Sequence, residues 1–95
     1  MKIDVLIGAY NSQNYIVDCL DSVNNQSLKP QKIIIIDDCS SDSTLKRIQE
    51  YQAISIVPIH IIANKKNLGL TKSLNLGIEL CTSELIARLD ADDLW

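Results

Sequence analysis

The sequence predicts an α/β protein in which helices cover both faces of an open parallel sheet of about four strands, a three-layer α/β/α sandwich. Two observations support this fold class. Four short aliphatic runs alternate with three stretches of helical periodicity, and continuous apolar runs are typical of strands buried on both faces of a parallel sheet. Strands and helices that alternate in this way form right-handed βαβ units.

Each of the four predicted strands is followed by small or polar residues. The first is IDVLIGA, and the second is QKIIIIDD, which two aspartates terminate. The third is ISIVPIHIIAN, in which Pro58 limits pairing of the first part because proline has no N–H to donate. The fourth is ELIARLDADD. We expect four short strands with polar turns after them.

Three stretches between the strands place apolar residues on one helical face. They run from Asn14 to Asn25 with Ile16, Cys19, Leu20 and Val23, from Asp42 to Gln52 with Leu45, Ile48 and Tyr51, and from Leu70 to Cys81 with Leu70, Leu74, Ile78 and Cys81. Hydroxyl groups of the segment SSDS are expected to cap the second helix. Each apolar stripe is predicted to lie on the sheet.

Composition restricts the class of protein. The 95 residues carry a net charge of −3, which argues against a nucleic-acid partner. The three cysteines show no C-x-x-C spacing and indicate free thiols in a reducing compartment. The apolar run near the N-terminus is too short for a signal peptide or a membrane span. We expect a cytoplasmic protein, held at the inner face of the membrane if a longer parent protein provides an anchor.

The unusual polar residues follow the predicted strands. They fall in residues 8–11, 37–40, 64–69 and 90–93. Ligands of open parallel sheets bind beyond the carboxyl ends of the strands. We therefore predict the functional site at this edge of the sheet.

Asp90, Asp92 and Asp93 place three carboxylates within four positions. Like charges this close repel one another, so a positive partner is expected among them unless they form a solvated loop or a helix N-terminus. Mg²⁺ and Mn²⁺ prefer such oxygen ligands and complete their shells with substrate phosphates. The residues alone leave both the metal site and the solvated loop open.

Three more residues at this edge have two interpretations each. Asp38 either caps a helix or accepts a hydrogen bond from a base or ribose. Tyr10 either packs in the core or stacks on a planar ring. Lys72 is either solvated surface or a phosphate contact.

Together these motifs resemble the N-terminal part of the family 2 glycosyltransferases, which have the Rossmann-like GT-A fold. The resemblance rests on four blocks in order: AYNSQNYIVDCLDSVNNQS, IIIIDDCSSDST, NKKNLGLTKSLNLGIELCTSE and ARLDADDLW. It implies that residues 1–95 are the truncated, nucleotide-sugar-binding part of a longer catalytic domain. By the same analogy the strands are ordered 3-2-1-4.

The resemblance also implies individual roles. Tyr10 matches the family's tyrosine beside the nucleobase, and Asp38 matches the aspartate that hydrogen-bonds the base. In the D-x-D motif, Asp90 lies near the ribose and diphosphate and Asp92 coordinates Mn²⁺ or Mg²⁺, with Asp93 as a supporting carboxylate. The implied nucleotide-sugar-binding residues are Ala9, Tyr10, Asn11, Asp38, Lys72, Asp90 and Asp92, and the implied metal ligands are Asp90 and Asp92.

The implied reaction is a metal-dependent, inverting sugar transfer in the synthesis of cell-surface polysaccharide or lipopolysaccharide. The donor is a nucleotide-diphosphate sugar, with uridine as the family's common base, and the acceptor is a hydroxyl of a glycan or a lipid-linked glycan. The carboxylate base is expected beyond residue 95, so this chain alone is expected to be inactive. In a truncated domain the strand at Leu85–Leu89 would lose one neighbour and leave an open edge with exposed apolar surface, which predicts self-association.

Three departures from the family's pattern affect these expectations. Gly8 stands where proline is frequent, and Cys39 replaces a glycine, which puts a turn with positive φ in doubt. TKSLN replaces a small-residue and arginine pattern, so Lys72 stands in as the phosphate contact. Two other functions share this architecture: a non-catalytic binding or assembly domain, against which the intact D-x-D argues, and a nucleotidyltransferase, which would carry a glycine-rich basic loop after the first strand.

Overall fold

A computed structural model describes residues 2–93 and 95, without the side chain of Leu70. The strands are β1 (Ile3–Ala9), β2 (Lys32–Asp37), β3 (Ile59–Ala63) and β4 (Leu85–Asp90), and the helices are α1 (Ile16–Asn24), α2 (Thr44–Gln52) and α3 (Leu70–Ile78). All neighbouring strands pair in parallel, in the order β3-β2-β1-β4. The predicted fold class and strand order are confirmed.

The larger core lies between the sheet and the helices α1 and α2. Successive side chains of a strand point to opposite faces, so β1 and β2 each supply alternate residues to it. Its fully buried members include Val5, Ile7, Ile33 and Ile35 from the strands and Ile16, Leu20, Val23 and Ile48 from the helices. The predicted stripe of α1 is confirmed, and Cys19 belongs to it.

A smaller core lies on the opposite face, between the sheet and α3. Leu6, Ile34 and Ile36 pack there against Leu74. At Gly77 the helix lies so close to the sheet that a Cβ atom would be 2.5 Å from Cδ1 of Ile36 and of Leu6. The helices thus cover both faces, as predicted.

The third strand begins only after the proline. The N–H of Ile33 donates to the carbonyl of Pro58 at 2.8 Å, and regular pairing starts at Ile59. The predicted first part of this strand is instead a loop in which Ile54 and Ile56 are exposed. The side-chain oxygen of Asn24 accepts the N–H groups of Ile56 and Val57 at 3.0 and 3.1 Å. An amide side chain therefore takes the place of a strand partner.

Burial on both faces was predicted for all four strands, and it is wrong for the two edge strands, β3 and β4. Leu85 and Ile86 are 47% and 40% exposed, because β4 is an edge strand and α3 packs mainly on β1 and β2. The third helix ends at Ile78 rather than Cys81, and Ile78 is exposed although it was placed in the stripe. The predicted contribution of the Leu70 side chain lies outside the described residues.

The N-terminus of α2 is capped differently from the prediction. Ser43 precedes the helix but makes no side-chain capping bond. Instead Oδ1 of Asp42 accepts the N–H of Thr44 at 2.9 Å. The Asp42 carboxylate thus caps the helix, whereas the hydroxyl groups of SSDS were expected to cap it. Each of the three helices has nine residues, and in the described part of the chain none is long and apolar enough to cross a membrane.

Candidate functional site

A surface depression of about 350 Å³ lies at the carboxyl ends of β1 and β4. It is lined by Gly8, Tyr10, Asn11, Ser12, Tyr15, Asp90, Ala91 and Asp92. The two strands are neighbours, with Gly8 paired to Asp90, so the segments that follow them form the two sides of the depression. This is the edge of the sheet at which the sequence predicts the functional site.

The D-x-D segment directs its two outer carboxylates to the surface. The N–H of Ala91 donates to the carbonyl of Gly8 at 3.2 Å, and the Ala91 side chain is buried in the larger core. Because Ala91 is anchored inward, Asp90 and Asp92 on either side of it are exposed. The spacing of the motif therefore follows from the alternation of the chain at the strand end.

Asp93 closes a tight turn on the same segment. Its carboxylate accepts the N–H of Asp90 at 3.1 Å, and its own N–H donates to the carbonyl of Asp90 at 2.9 Å. This turn brings carboxylate oxygens of Asp90, Asp92 and Asp93 to within 4.8 Å of one another. Three hard oxygen donors at this separation fit Mg²⁺ or Mn²⁺, which bind carboxylates and substrate phosphates together.

The negative charge of this turn affects the buried thiol of Cys19 beneath it. Burial raises the pKa of the Cys19 thiol to about 12, and the charges of Asp93 and Asp92 contribute to the shift. The protonated Sγ of Cys19 lies 3.8 Å from the carbonyl oxygen of Asp90. Among the described residues, the salt bridge joins Lys32 to Asp4, and no basic side chain forms an ion pair with these three carboxylates. A cation bound among them would therefore relieve their mutual repulsion.

The other side of the depression is held by contacts between the segments after β1 and β2. Asn11 has a φ of +48°, a left-handed conformation that asparagine tolerates. Its N–H donates to Oγ of Ser40 at 2.9 Å, and its Oδ1 accepts the N–H of Ser41 at 2.8 Å. The N–H of Ser12 donates to Oγ1 of Thr44 at 2.7 Å. Tyr10, which is 44% exposed, is thereby presented from a braced loop.

The turn at Cys39 has the positive φ that a non-glycine residue had put in doubt. Its φ is +60°, so the backbone adopts the left-handed conformation that the family's glycine would favour. The exposed thiol approaches the carbonyl of Lys65, with Sγ and O 3.6 Å apart. The replacement of glycine by cysteine therefore changes the side chain but leaves the turn in place.

Asp38 is buried at the end of β2, and only 1% of it is exposed. Its Oδ1 accepts from the N–H of Leu68 at 2.8 Å, from Nδ2 of Asn64 at 2.9 Å and from the Ser73 hydroxyl at 3.2 Å. Its Oδ2 accepts from the N–H of Gly69 at 2.9 Å. Burial alone would raise the pKa of Asp38, but these hydrogen bonds outweigh it and lower the pKa below its ordinary value. The carboxylate is ionised and holds the segment between β3 and α3.

The structure brings together four of the seven predicted binding residues. Tyr10, Asn11, Asp90 and Asp92 line the depression. Ala9 lies beneath it, fully buried, and its carbonyl accepts the N–H of Asp38 at 2.9 Å. Asp38 and the exposed Lys72 near the start of α3 do not line it. Contacts from these two residues to a ligand stay predictions.

The sequence pattern did not single out Tyr15 and Ser73, and it placed Asn64 at the site edge without a role of its own. Tyr15 lines the depression and is 56% exposed, and an aromatic residue directly ahead of a helix at a strand end was the available signal. Asn64 and Ser73 contact Asp38, with Nδ2 of Asn64 also donating to the Ser73 hydroxyl at 2.7 Å. Because Ser73 is fully buried, only the three-dimensional structure reveals this contact.

A larger depression of about 640 Å³ lies at the opposite end of the sheet. It is lined by Lys2, Ile3, Leu28, Lys29 and Gln31. No carboxylate is among these residues. This depression lies at the amino ends of the strands, whereas ligands of open parallel sheets bind beyond the carboxyl ends. The smaller depression is therefore the candidate functional site.

Comparison with known proteins gives consistent matches over almost the whole chain. The family model described as "Glycosyl transferase family 2" matches residues 4–95. An uncharacterized glycosyltransferase of Haemophilus influenzae is 39% identical over 92 residues, which are 97% of this chain and 28% of that protein. The amylovoran biosynthesis glycosyltransferase AmsE of Erwinia amylovora is 37% identical over 92 residues, which are 95% of this chain and 34% of that protein.

Among solved structures, TarS residues 1–349 of S. aureus superpose on this chain with a TM-score of 0.88 at 28% identity, covering 99% of this chain and 28% of that one. TarS was crystallised with UDP and with UDP-GlcNAc. This chain spans 28% and 34% of the length of the two glycosyltransferases of Haemophilus influenzae and Erwinia amylovora.

Proposed function

Because the chain belongs to glycosyl transferase family 2, whose model matches residues 4–95, we propose that it provides the nucleotide-sugar-binding part of a glycosyltransferase. The transfer runs from a nucleotide-diphosphate sugar, with UDP as the proposed nucleotide, to a hydroxyl of a glycan or a lipid-linked glycan. Support comes from TarS, whose structures contain UDP and UDP-GlcNAc, and from AmsE, which is named for polysaccharide biosynthesis.

The observation that carries this proposal is the convergence of three carboxylates beside an exposed tyrosine. Oxygens of Asp90, Asp92 and Asp93 lie within 4.8 Å of one another, and Tyr10 lines the same depression as Asp90 and Asp92. A diphosphate needs a cation between itself and carboxylates, whereas a nucleobase needs a flat apolar surface. One depression thus offers partners for both ends of a nucleoside diphosphate.

The chain's own residues bind and orient the donor in this proposal. Tyr10 stacks on the base, Asp38 accepts a hydrogen bond from it, and Lys72 approaches a phosphate. Asp90 and Asp92 hold a divalent ion, Mn²⁺ or Mg²⁺, and Asp93 fixes the backbone of Asp90. Such an ion supplies Lewis-acid stabilisation of the charge that develops on the leaving diphosphate.

The catalytic base and the acceptor site are proposed to belong to parts of the enzyme other than this chain. No residue among the four segments at the site edge is assigned as a base, because the carboxylates there serve the metal and the loops. We therefore propose an inverting enzyme whose donor half alone transfers no sugar. The free thiols of Cys19, Cys39 and Cys81 support a cytoplasmic location for the reaction.

The direct test is calorimetric titration of the chain with UDP, with and without Mn²⁺, beside an Asp92→Asn variant. The wild-type chain is expected to bind UDP in the presence of the metal. We expect Asp92→Asn to weaken that binding by about tenfold to a hundredfold, since a charge-assisted contact to the cation is lost. Without the metal, the two proteins should bind UDP equally weakly.

Glu84→Gln is the matched control, because it also turns an exposed carboxylate into an amide but lies just before β4, at the other end of that strand. This variant should bind UDP and Mn²⁺ as the wild type does. A wild-type chain that is folded and binds UDP with equal affinity in Mn²⁺ and in EDTA would refute the metal-dependent site.

A further inference from the structure

The buried carboxylate of Asp38 has an uneven set of partners. Oδ1 accepts three hydrogen bonds, from Leu68, Asn64 and Ser73, whereas Oδ2 accepts one, from Gly69. A carboxylate oxygen has two lone-pair directions. Oδ1 is therefore saturated, and the one acceptor direction that is left belongs to Oδ2.

The two oxygens also differ in their surroundings. Ser73, on the Oδ1 side, is fully buried, and its hydroxyl is bound by Nδ2 of Asn64 at 2.7 Å. Gly69, the partner of Oδ2, is an exposed residue of the loop. Asp38 as a whole is 1% exposed, and Oδ2 is the oxygen whose partner is this exposed loop residue.

We propose that Ser73 and Asn64 are positioning residues for donor recognition: they hold Oδ1 of Asp38 in the interior and leave Oδ2 to accept a hydrogen bond from a ring N–H of the donor's base. This inference rests on the proposed function and defines its substrate class. An ionised carboxylate only accepts hydrogen bonds. Uracil, thymine and guanine carry a ring N–H next to a carbonyl group, whereas cytosine and adenine present an acceptor nitrogen there.

The contact depends on the hydroxyl of Ser73. Ser73 stands in TKSLN, the segment that replaces the small-residue and arginine pattern of the family. A small apolar residue at this position would fill the space but could not donate to Oδ1. The carboxylate would then have one fewer contact to fix the orientation of its two oxygens.

The experiment measures the dissociation constants of UDP and CDP, in Mn²⁺, for the wild type and for Ser73→Ala. The wild type should bind UDP at least about tenfold more tightly than CDP, as expected for a hydrogen bond to a charged group. Ser73→Ala should reduce this UDP-to-CDP ratio by about threefold to tenfold. A loss of melting temperature without a change in the ratio would overturn the inference, because it would show a structural role only.

Ser83→Ala is the matched control. Ser83 also donates its hydroxyl to a buried carboxylate, Oδ1 of Asp4 at 2.6 Å, but at the opposite end of the sheet. The Ser83→Ala variant should have a lower melting temperature and an unchanged UDP-to-CDP ratio.

A ligand-based measurement covers the case in which Ser73→Ala fails to fold. UDP methylated at N3 of the uracil lacks the ring N–H and should bind the wild type as weakly as CDP does. Equal binding of UDP and its N3-methyl derivative would overturn this inference together with the base contact of Asp38, and would leave the metal-dependent donor site standing. A folded wild type that binds none of the three nucleotides would instead refute the proposed function, and this inference with it.

Discussion

At the scale of single residues, the carboxylates fall into two chemical kinds. Asp90, Asp92 and Asp93 are exposed and share one turn, so their charge is available to a cation. Asp4 and Asp38 are buried and accept hydrogen bonds from donors of their own chain. Sequence reasoning grouped Asp38 with the exposed aspartates because both follow strands. It could not show that Asn64 and Ser73, distant in sequence, would meet Asp38 in the interior.

Acidification should destabilise the fold through the buried pair. Burial alone would raise the pKa of Asp4, but donors from Ser83 and Thr82 and the charge of Lys32 lower it, and the pKa of Asp38 is lowered likewise. A carboxylate whose pKa is lower in the folded than in the unfolded state contributes stability above the unfolded pKa, which is about 4. That stability is lost as the pH falls from about 5 through the folded pKa values.

Urea denaturation between pH 6 and pH 2.5 tests this effect. The wild-type midpoint should be flat near neutral pH and should fall on acidification. Asp38→Asn should cost about 1–3 kcal/mol at neutral pH, because four donors lose a charged acceptor, and its midpoint should fall less steeply with acid. A wild-type midpoint that rises toward pH 3 would contradict this account.

At the scale of elements, strands were predicted better than their ends. IDVLIGA became β1 over its full length because its residues are buried on both faces. The third strand was overestimated, since Pro58 shifts the start of pairing to Ile59 and Asn24 satisfies the preceding N–H groups. The cap of α2 was assigned to hydroxyl groups although Asp42 supplies it. Which of several neighbouring polar groups caps a helix depends on interatomic distances, and sequence periodicity does not give these distances.

The close approach of α3 to the sheet should make Gly77 sensitive to a single methyl group. In Gly77→Ala the new Cβ would meet Ile36 and Leu6 at 2.5 Å. Overpacking of this kind costs about 1–3 kcal/mol and should exceed the gain in helix propensity of about 1 kcal/mol.

Thermal or urea unfolding measures the cost, with Asn75→Ala as the control. Asn75 is exposed on the same helix, so its replacement should change the free energy of unfolding by at most about 0.5 kcal/mol. If Gly77→Ala proved as stable as the wild type, the helix would lie farther from β1 and β2 than described.

At the scale of the whole molecule, the sequence pattern predicts the parallel sheet, whereas the strand order was implied by the resemblance to the family. Alternating aliphatic runs and helical stripes give a parallel sheet, and the order β3-β2-β1-β4 places every strand-end segment on one edge. What could not be predicted is how that edge is divided. The segments after β1 and β4 form the depression, whereas the segment after β3 folds onto Asp38.

The prediction of self-association rests on the open edge of β4. β4 has β1 on one side, and Leu85 and Ile86 are 47% and 40% exposed. Unpaired strand edges with apolar side chains associate readily, and a charge on the strand opposes this. Light scattering should therefore detect oligomers of the wild type and fewer of Ile86→Lys. A wild type that stays monomeric at high concentration would argue against this surface.

The most direct test of the donor site is a ¹⁵N NMR titration of the labelled chain with UDP and Mg²⁺. We expect shifts in the amide signals of Tyr10, Asn11, Leu68, Gly69, Ala91 and Asp92. The signals of Leu28 and Ile54, at the opposite end of the sheet, should stay in place. Shifts that cluster around Leu28 and Lys29, or a folded chain whose spectrum UDP leaves unchanged, would contradict the claim that this edge binds a nucleotide-sugar donor.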